Sequence, residues 1–338
     1  MSSLLELRNI SMIFEQKSGM LGKPTPIPAM TDVQLSFEPG EILALVGESG
    51  CGKTTLGKVV TGLHKPSKGQ LLFQGKDVWN MNKAEFTEYR QSVQLVQQDS
   101  YAALNPMRTI LQSLSDPILQ HKIVRSRKEA HDRVCELLNT VGLTPPEQYI
   151  EKYPHQMSGG QRQRVLLARA ISLKPKLIVA DEPVSMIDVS LRMAILRLMS
   201  TLNKNLGIAF IYITHDLATA RYIAQHGRMA VMYLGKIVEQ GSVHDVLAAP
   251  QHPYLQALLS AVPVPNPRIA KAKRELPLKS LDMPSIANPP TGCSFHPRCL
   301  YASQTCEQTA PSLAPSGKTI VSCHHVEKVP PWTIATVK

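Results

Sequence analysis

No apolar run in this 338-residue chain approaches the roughly 18 residues that a membrane-spanning helix requires. The strongly apolar stretches are short, as at Ile208 to Ile213, and Glu6 and Arg8 interrupt the N-terminal apolar residues where a signal peptide would need continuity. The expectation is a cytoplasmic protein whose membrane association comes through partners. Internal repeats and low-complexity blocks are missing too, which excludes solenoid architectures. The chain also lacks any excess of acid: its net charge is +11, which suits a nucleotide, an anionic bilayer surface or a nucleic acid, and equally a plain solvated basic surface. Aromatics are absent from the two basic clusters, His121 to Arg133 and Arg268 to Lys279, so neither forms a stacking platform for single strands.

What is present is enough length for one large domain and an appendage, with 43% hydrophobic residues to build its core. Leu4 to Phe14 reads as a strand, Gln16 to Pro28 as a Gly/Pro-containing loop, and Ile42 to Val46 as a strand buried on both faces. A helix is expected from near Gly52 to about Gly62. Val93 to Val96, Leu177 to Ala180 and Ile208 to Ile213 read as further strands. Leu191, Ala194, Ile195, Leu198, Met199 and Leu202 recur at helical spacing between Val189 and Leu206, giving an amphipathic helix packed on a sheet. Strands alternating with helices imply an α/β fold with a parallel sheet covered on both sides. Leu104 to Pro154 breaks the alternation with helix-like runs and reads as an inserted helical subdomain. Pro263 to Pro290 is Pro-rich and basic, as a linker would be, and a cysteine-containing segment follows.

Gly47 to Thr54 spells G-x-x-x-x-G-K-[ST] directly after an apolar strand. Such a loop turns backbone N–H groups toward phosphates and lets its lysine reach the β- and γ-phosphates. The candidate nucleotide-binding residues are Gly47, Glu48, Ser49, Gly50, Cys51, Gly52, Lys53, Thr54 and Thr55, with the Thr54 hydroxyl available to magnesium. Cys51 reads as a small residue that the loop accepts. Leu177 to Glu182 is an apolar strand ending in two carboxylates. Asp181 is positioned to bind the magnesium shell beside Thr54, and Glu182 to polarise an attacking water as general base.

Downstream, Ser158-Gly159-Gly160-Gln161 opens a helix, and this S-G-G-Q segment together with the phosphate loop resembles the ATP-binding-cassette (ABC) ATPases over most of the chain. The resemblance implies a P-loop ABC domain at residues 1–262, a helical subdomain at about 99–172, and a linker with a C-terminal Cys segment of oligopeptide-transporter type at 263–338. It implies that Gln98 senses magnesium and the γ-phosphate, that His215 is the switch histidine holding Glu182 and water in line, and that Phe14 stacks on adenine. Ser158, Gly159, Gly160 and Gln161, with Asp188 of the Ser185–Asp188 D-loop, would serve the ATP site of an opposing subunit. Met157, Met186-Ile187 and Gln97 depart from the usual residues of these motifs without removing a polar catalytic group.

His252-Pro253-Tyr254, Leu258 to Pro263 and Gly292 to Cys299 narrow the resemblance to ATP-binding subunits of dipeptide and oligopeptide importers. That branch implies ATP hydrolysis coupled to solute import at the cytoplasmic face of the membrane. The implied partners are two transmembrane permease subunits, a second, different ATPase subunit and, indirectly, an extracytoplasmic solute-binding protein, with no nucleic acid. A soluble ABC ATPase acting on nucleic acid or ribosomes is the alternative, although it would normally show two fused cassettes or a long coiled coil. A non-hydrolysing regulatory subunit is disfavoured by the presence of Glu182 and His215. Cys293, Cys299, Cys306 and Cys323 gather near the end of the chain without a C-x-x-C pair. The resemblance implies that they bind a 4Fe–4S cluster, while zinc or free thiols stay open and His296, His324 and His325 are substitute ligands.

Overall fold

The computed structural model describes residues 3–17, 24–262 and 276–332. Part of the expected Gln16–Pro28 loop, part of the Pro263–Pro290 linker and part of the second basic cluster lie outside these residues. Two sheets organise the chain. The first is antiparallel, in the order β2-β1-β4-β5, from β1 (Leu5–Lys17), β2 (Pro24–Phe37), β4 (Lys68–Phe73) and β5 (Lys76–Asp77). The second runs β11-β12-β10-β9-β3-β8-β7-β6. Its strands are β3 (Ile42–Val46), β6 (Val93–Val96), β7 (Leu177–Asp181), β8 (Ala209–Thr214), β9 (Arg228–Tyr233), β10 (Lys236–Ser242), β11 (Ala314–Ser316) and β12 (Thr319–Val321).

The expectation of a parallel sheet holds for five strands of the main sheet and is corrected at one edge. Strands β9, β3, β8, β7 and β6 pair in parallel, whereas β9–β10, β10–β12 and β12–β11 are antiparallel. The turn Leu234-Gly235 between β9 and β10 explains the change of direction: both residues have positive φ, 40° and 77°, the two-residue hairpin geometry that joins antiparallel neighbours. The expected loop before Pro28 is also corrected, because β2 begins at Pro24 and pairs with β1 from there. Strand β2 is a sheet edge, where prolines without an N–H leave no ladder bond missing.

The helices among the described residues are α1 (Lys53–Val60), α2 (Lys83–Ser92), α3 (Ile110–Gln120), α4 (Arg127–Thr140), α5 (Gly159–Ile171), α6 (Val189–Leu206), α7 (Leu217–Ile223), α8 (Val243–Ala248), α9 (Pro253–Ala261) and α10 (Gln304–Gln308). Side chains alternate across the central strands, so Ala209, Ile211 and Ile213 face one core while Phe210 and Tyr212 face the other. The first core holds α1 and the antiparallel sheet. The second holds α5, α6 and α7 together with α3 and α4, which form the helical insertion. Helix α6 buries Ile195, Leu196, Leu198, Met199 and Leu202, but Leu191, expected on the buried stripe, is 41% exposed at the helix start. Phe295 and Cys299 pack into the second core, and β12 adds to the edge of β10, so the C-terminal segment is bound to the main sheet.

Candidate functional site

The P-loop follows from β3, which is buried throughout its last four residues and carries Val46 to the rim of the sheet. Two of its glycines are sterically required. A Cβ at Gly47 would lie 2.2 Å from the Met232 carbonyl oxygen, and one at Gly52 would lie 2.6 Å from that of Ala29, with φ at +105°. Gly52 caps α1, whose N-terminal amides and positive dipole end face the pocket. Lys53 is buried, and its Nζ donates to the carbonyls of Gly47 and Glu48, both at 2.8 Å. Cys51 is wholly buried beneath the loop, where desolvation raises its thiol pKa.

One pocket gathers Phe14, Ser49, Gly50, Gly52, Lys53, Thr54, Thr55, Gln98 and Glu182. Phe14 sits on β1 opposite Ile27 of β2, over a third exposed and T-shaped to His64, and it lines this pocket. Asp181 ends β7, mostly buried, and burial raises its pKa while the nearby Thr54 hydroxyl works the other way. Its Oδ1 is buried without a hydrogen-bond partner. A buried, unsatisfied carboxylate oxygen beside a threonine hydroxyl fits a hard divalent cation with oxygen ligands.

Glu182 holds a left-handed backbone, φ +44°, a conformation that costs a non-glycine residue on the order of 1–2 kcal/mol. Its N–H donates to the Ile213 carbonyl at 2.9 Å. Its side chain, 14% exposed, is gripped from both sides: Gln98 Nε2 donates to Oε2 at 3.0 Å, and His215 Nδ1 donates to Oε1 at 3.0 Å. Gln98 lies just beyond β6 and His215 just beyond β8, so the parallel strands flanking β7 supply both partners.

Ser158, Gly159, Gly160, Gln161 and Asp188 do not line this pocket. Ser158 and Gln161 cap α5 reciprocally: the Gln161 N–H donates to Ser158 Oγ at 3.3 Å, and the Ser158 N–H to Gln161 Oε1 at 3.0 Å. A Cβ on Gly159 would lie 3.7 Å from the Met186 carbonyl, so the helix start and the Ser185–Asp188 turn are neighbours. Met186 and Val189 project there, 63% and 74% exposed, and Asp188 makes no side-chain cap bond to α6.

Residues that sequence reasoning used only to mark the family branch, or did not use, also reach the phosphate loop. Tyr254 Oη accepts from the Glu48 N–H at 2.8 Å, Arg298 makes a paired bridge to the Glu48 carboxylate at 2.9 and 3.2 Å, and Ile286 lines the pocket. Arg298 and Glu48 are 250 positions apart, so no local pattern announces the contact.

The iron–sulfur expectation is corrected. All four C-terminal cysteines are free thiols, and among the described residues no three or more His, Cys, Asp or Glu side chains gather as a metal-holding group. Burial pushes Cys299 and Cys323 up to about 11 and raises Cys293. The candidate histidines are engaged elsewhere: His296 with the Cys293 carbonyl, His324 with that of Thr309, and His325 with Ser303 Oγ.

Comparison with known proteins adds context to this geometry. The family model for ABC transporters matches residues 30–185, and that for the oligopeptide/dipeptide transporter C-terminal region matches 238–306. The chain is 41% identical to the oligopeptide transport ATP-binding protein AppF of Bacillus subtilis, covering 95% of this chain and 97% of that protein. It is 41% identical to the oligopeptide transport ATP-binding protein OppF of Salmonella typhimurium (96% of each chain). It is 38% identical to the dipeptide transport ATP-binding protein DppF of Haemophilus influenzae (96% and 97%). Among solved structures, the dimeric ATP-binding cassette MJ0796 with ADP and phosphate superposes with a TM-score of 0.62 at 27% identity, covering 71% of this chain and 98% of that one.

Proposed function

Because the chain belongs to the ABC transporter ATP-binding family, in the branch of oligopeptide and dipeptide transport subunits, we propose that it hydrolyses ATP to drive uptake of peptides or similar small solutes. The observation that carries the reading is the Glu182 carboxylate, fixed between Gln98 and His215 at the edge of the P-loop pocket. The relatives are transport proteins, which counts against a nucleic-acid or ribosome ATPase.

Phe14 stacks on the base, the amides of the turn from Ser49 to Gly52 and the Lys53 ammonium hold the phosphates, and Thr54, Asp181 and Gln98 would hold magnesium. When bound, the ion would supply positive charge to offset that of the phosphates. Glu182 accepts the proton of the attacking water, and His215 and Gln98 keep its carboxylate aimed. Ser158 to Gln161 and Asp188, of which Ser158 and Asp188 are exposed and all lie apart from the pocket, complete the site of a second ATPase subunit in a head-to-tail pair. Residues 1–262 act as the ATPase domain and 263–338 as its linker and C-terminal segment. No helix among the described residues is long and apolar enough to cross a membrane, so attachment to the inner face is through two permease subunits, with a solute-binding protein acting indirectly.

Affinity purification of the tagged chain from detergent-solubilised membranes, with mass spectrometry of what co-elutes, tests the assembly. Two polytopic subunits and a second cassette are expected; a lone chain, or one carrying ribosomes, would overturn it.

A further inference from the structure

We infer that Arg298 is a positioning residue for the phosphate-binding loop, acting through Glu48, so that the C-terminal segment is part of the nucleotide site's scaffold. The inference rests on the P-loop reading above and deepens it. Arg298 is only 5% exposed, and its guanidinium meets both carboxylate oxygens of Glu48 in the two-pronged geometry that fixes orientation as well as distance. The same loop residue is held through its backbone by Tyr254 Oη, so Glu48 is tied at two independent points. Neither tie floats. Phe295 is 1% exposed and lies against Tyr233, Tyr254 and His252 at ring separations of 5.2, 5.6 and 5.6 Å, anchoring the backbone from which Arg298 extends. The Arg298 carbonyl accepts from the Lys279 N–H at 2.9 Å, which ties it to the chain approaching Ile286 at the pocket wall.

The consequence is local. Lys53 Nζ donates to the Glu48 carbonyl, so a shift of Glu48 moves the acceptor that places the lysine. Tyr254 also takes the Glu48 N–H out of the set that can face a phosphate, leaving the glycine-rich turn from Ser49 to Gly52 to provide the amides. Freed from Arg298, Glu48 regains rotamers and the loop loses pre-organisation, which weakens nucleotide binding without touching Glu182 or His215.

The test uses the full chain with Mg·ADP as the probe, which requires no hydrolysis. Calorimetric titration compares wild type with R298A, R298K, E48Q and R298A/E48Q, alongside thermal unfolding of each. R298A and E48Q should each raise Kd about tenfold, the size expected for one lost charge-assisted pair. The double variant should be no weaker than the poorer single within about twofold, since both remove one interaction. R298K should recover part of the loss by reaching one oxygen. Amide exchange from Gly47 to Gly52 should quicken in R298A while that of β3 stays unchanged, a pattern that general loosening of the C-terminal segment would not give. Wild-type affinity in R298A, or losses that multiply in the double variant, would overturn the assignment. If R298A does not fold, E48Q carries the test, and wild-type affinity there overturns it equally. A wild-type chain that fails to bind Mg·ADP overturns the nucleotide reading along with this one, whereas normal wild-type binding with an unaffected R298A sinks this inference alone.

Discussion

Replacing Glu182 with glutamine separates the proton-accepting role of this residue from its place in the fold. The side chain keeps its length, and its two contacts survive: Gln98 can turn its amide to face the new NH2, and His215 can keep donating Nδ1–H to the remaining oxygen. Removing the charge also relieves Asp181, whose pKa the neighbouring Glu182 carboxylate raises in addition to the larger effect of burial. Folding stability is therefore expected to hold within about 2 °C in Tm. Binding of Mg·ATP should persist, because the phosphate contacts come from the loop and Lys53. What disappears is the base. General-base catalysis contributes about 100- to 10,000-fold, so turnover should fall by that factor, equivalent to about 3–5 kcal/mol on the barrier. Single-turnover hydrolysis with radiolabelled ATP, run beside equilibrium binding, reads both quantities. Turnover within a few-fold of wild type in a variant that binds ATP normally would refute the assignment of Glu182.

Gly52→Ala should abolish Mg·ATP binding and lower stability by at least about 1–2 kcal/mol, since alanine must adopt the left-handed backbone and its Cβ meets the Ala29 carbonyl; thermal shift with and without nucleotide checks both, and normal binding would count against the loop geometry. Two buried groups set an opposed pH dependence. Burial depresses His252 from 6.5 to about 3, so it contributes stability present above pH 6.5 that drains away as pH falls; burial raises Glu239 from 4.5 to about 7, so it favours the fold increasingly as pH falls from 7 toward 4.5. Glu239→Gln, with its carbonyl still able to accept from the Gln251 and His252 N–H groups, should therefore lose stability more steeply than wild type between pH 6.5 and 4.5 in urea unfolding; parallel curves would show that Glu239 does not titrate in this range.

The sequence was most legible where a signal is local. Strands β3 and β6 and helix α6 occupy the residues their patterns indicated, because an apolar run or a helical stripe is decided by neighbours in the chain. The phosphate loop and the Asp181-Glu182 pair were legible for the same reason. The antiparallel end of the main sheet was not: it depends on the turn at Leu234-Gly235 and on β12 returning from far downstream to β10. Prolines 24, 26 and 28 suggested a loop because sequence alone does not reveal that a strand will lie at a sheet edge. The cysteines misled in the opposite sense, since proximity in sequence suggested a shared metal that their side-chain arrangement does not support. Glu182's left-handed backbone carries no signal in the sequence, and its bond to His215, which joins the ends of β7 and β8, was legible only through the family resemblance.

The central claim is that ATP hydrolysis at this site drives peptide uptake, and it is tested most directly in proteoliposomes holding this chain with its co-purifying membrane subunits. With ATP on the side of this chain and a peptide-loaded binding protein on the other, accumulation of a labelled oligopeptide is measured for wild type and for Glu182→Gln. The account predicts ATP-dependent accumulation for wild type and none above background for the variant. Equal accumulation by both, or none by a wild-type complex that hydrolyses ATP, would contradict it.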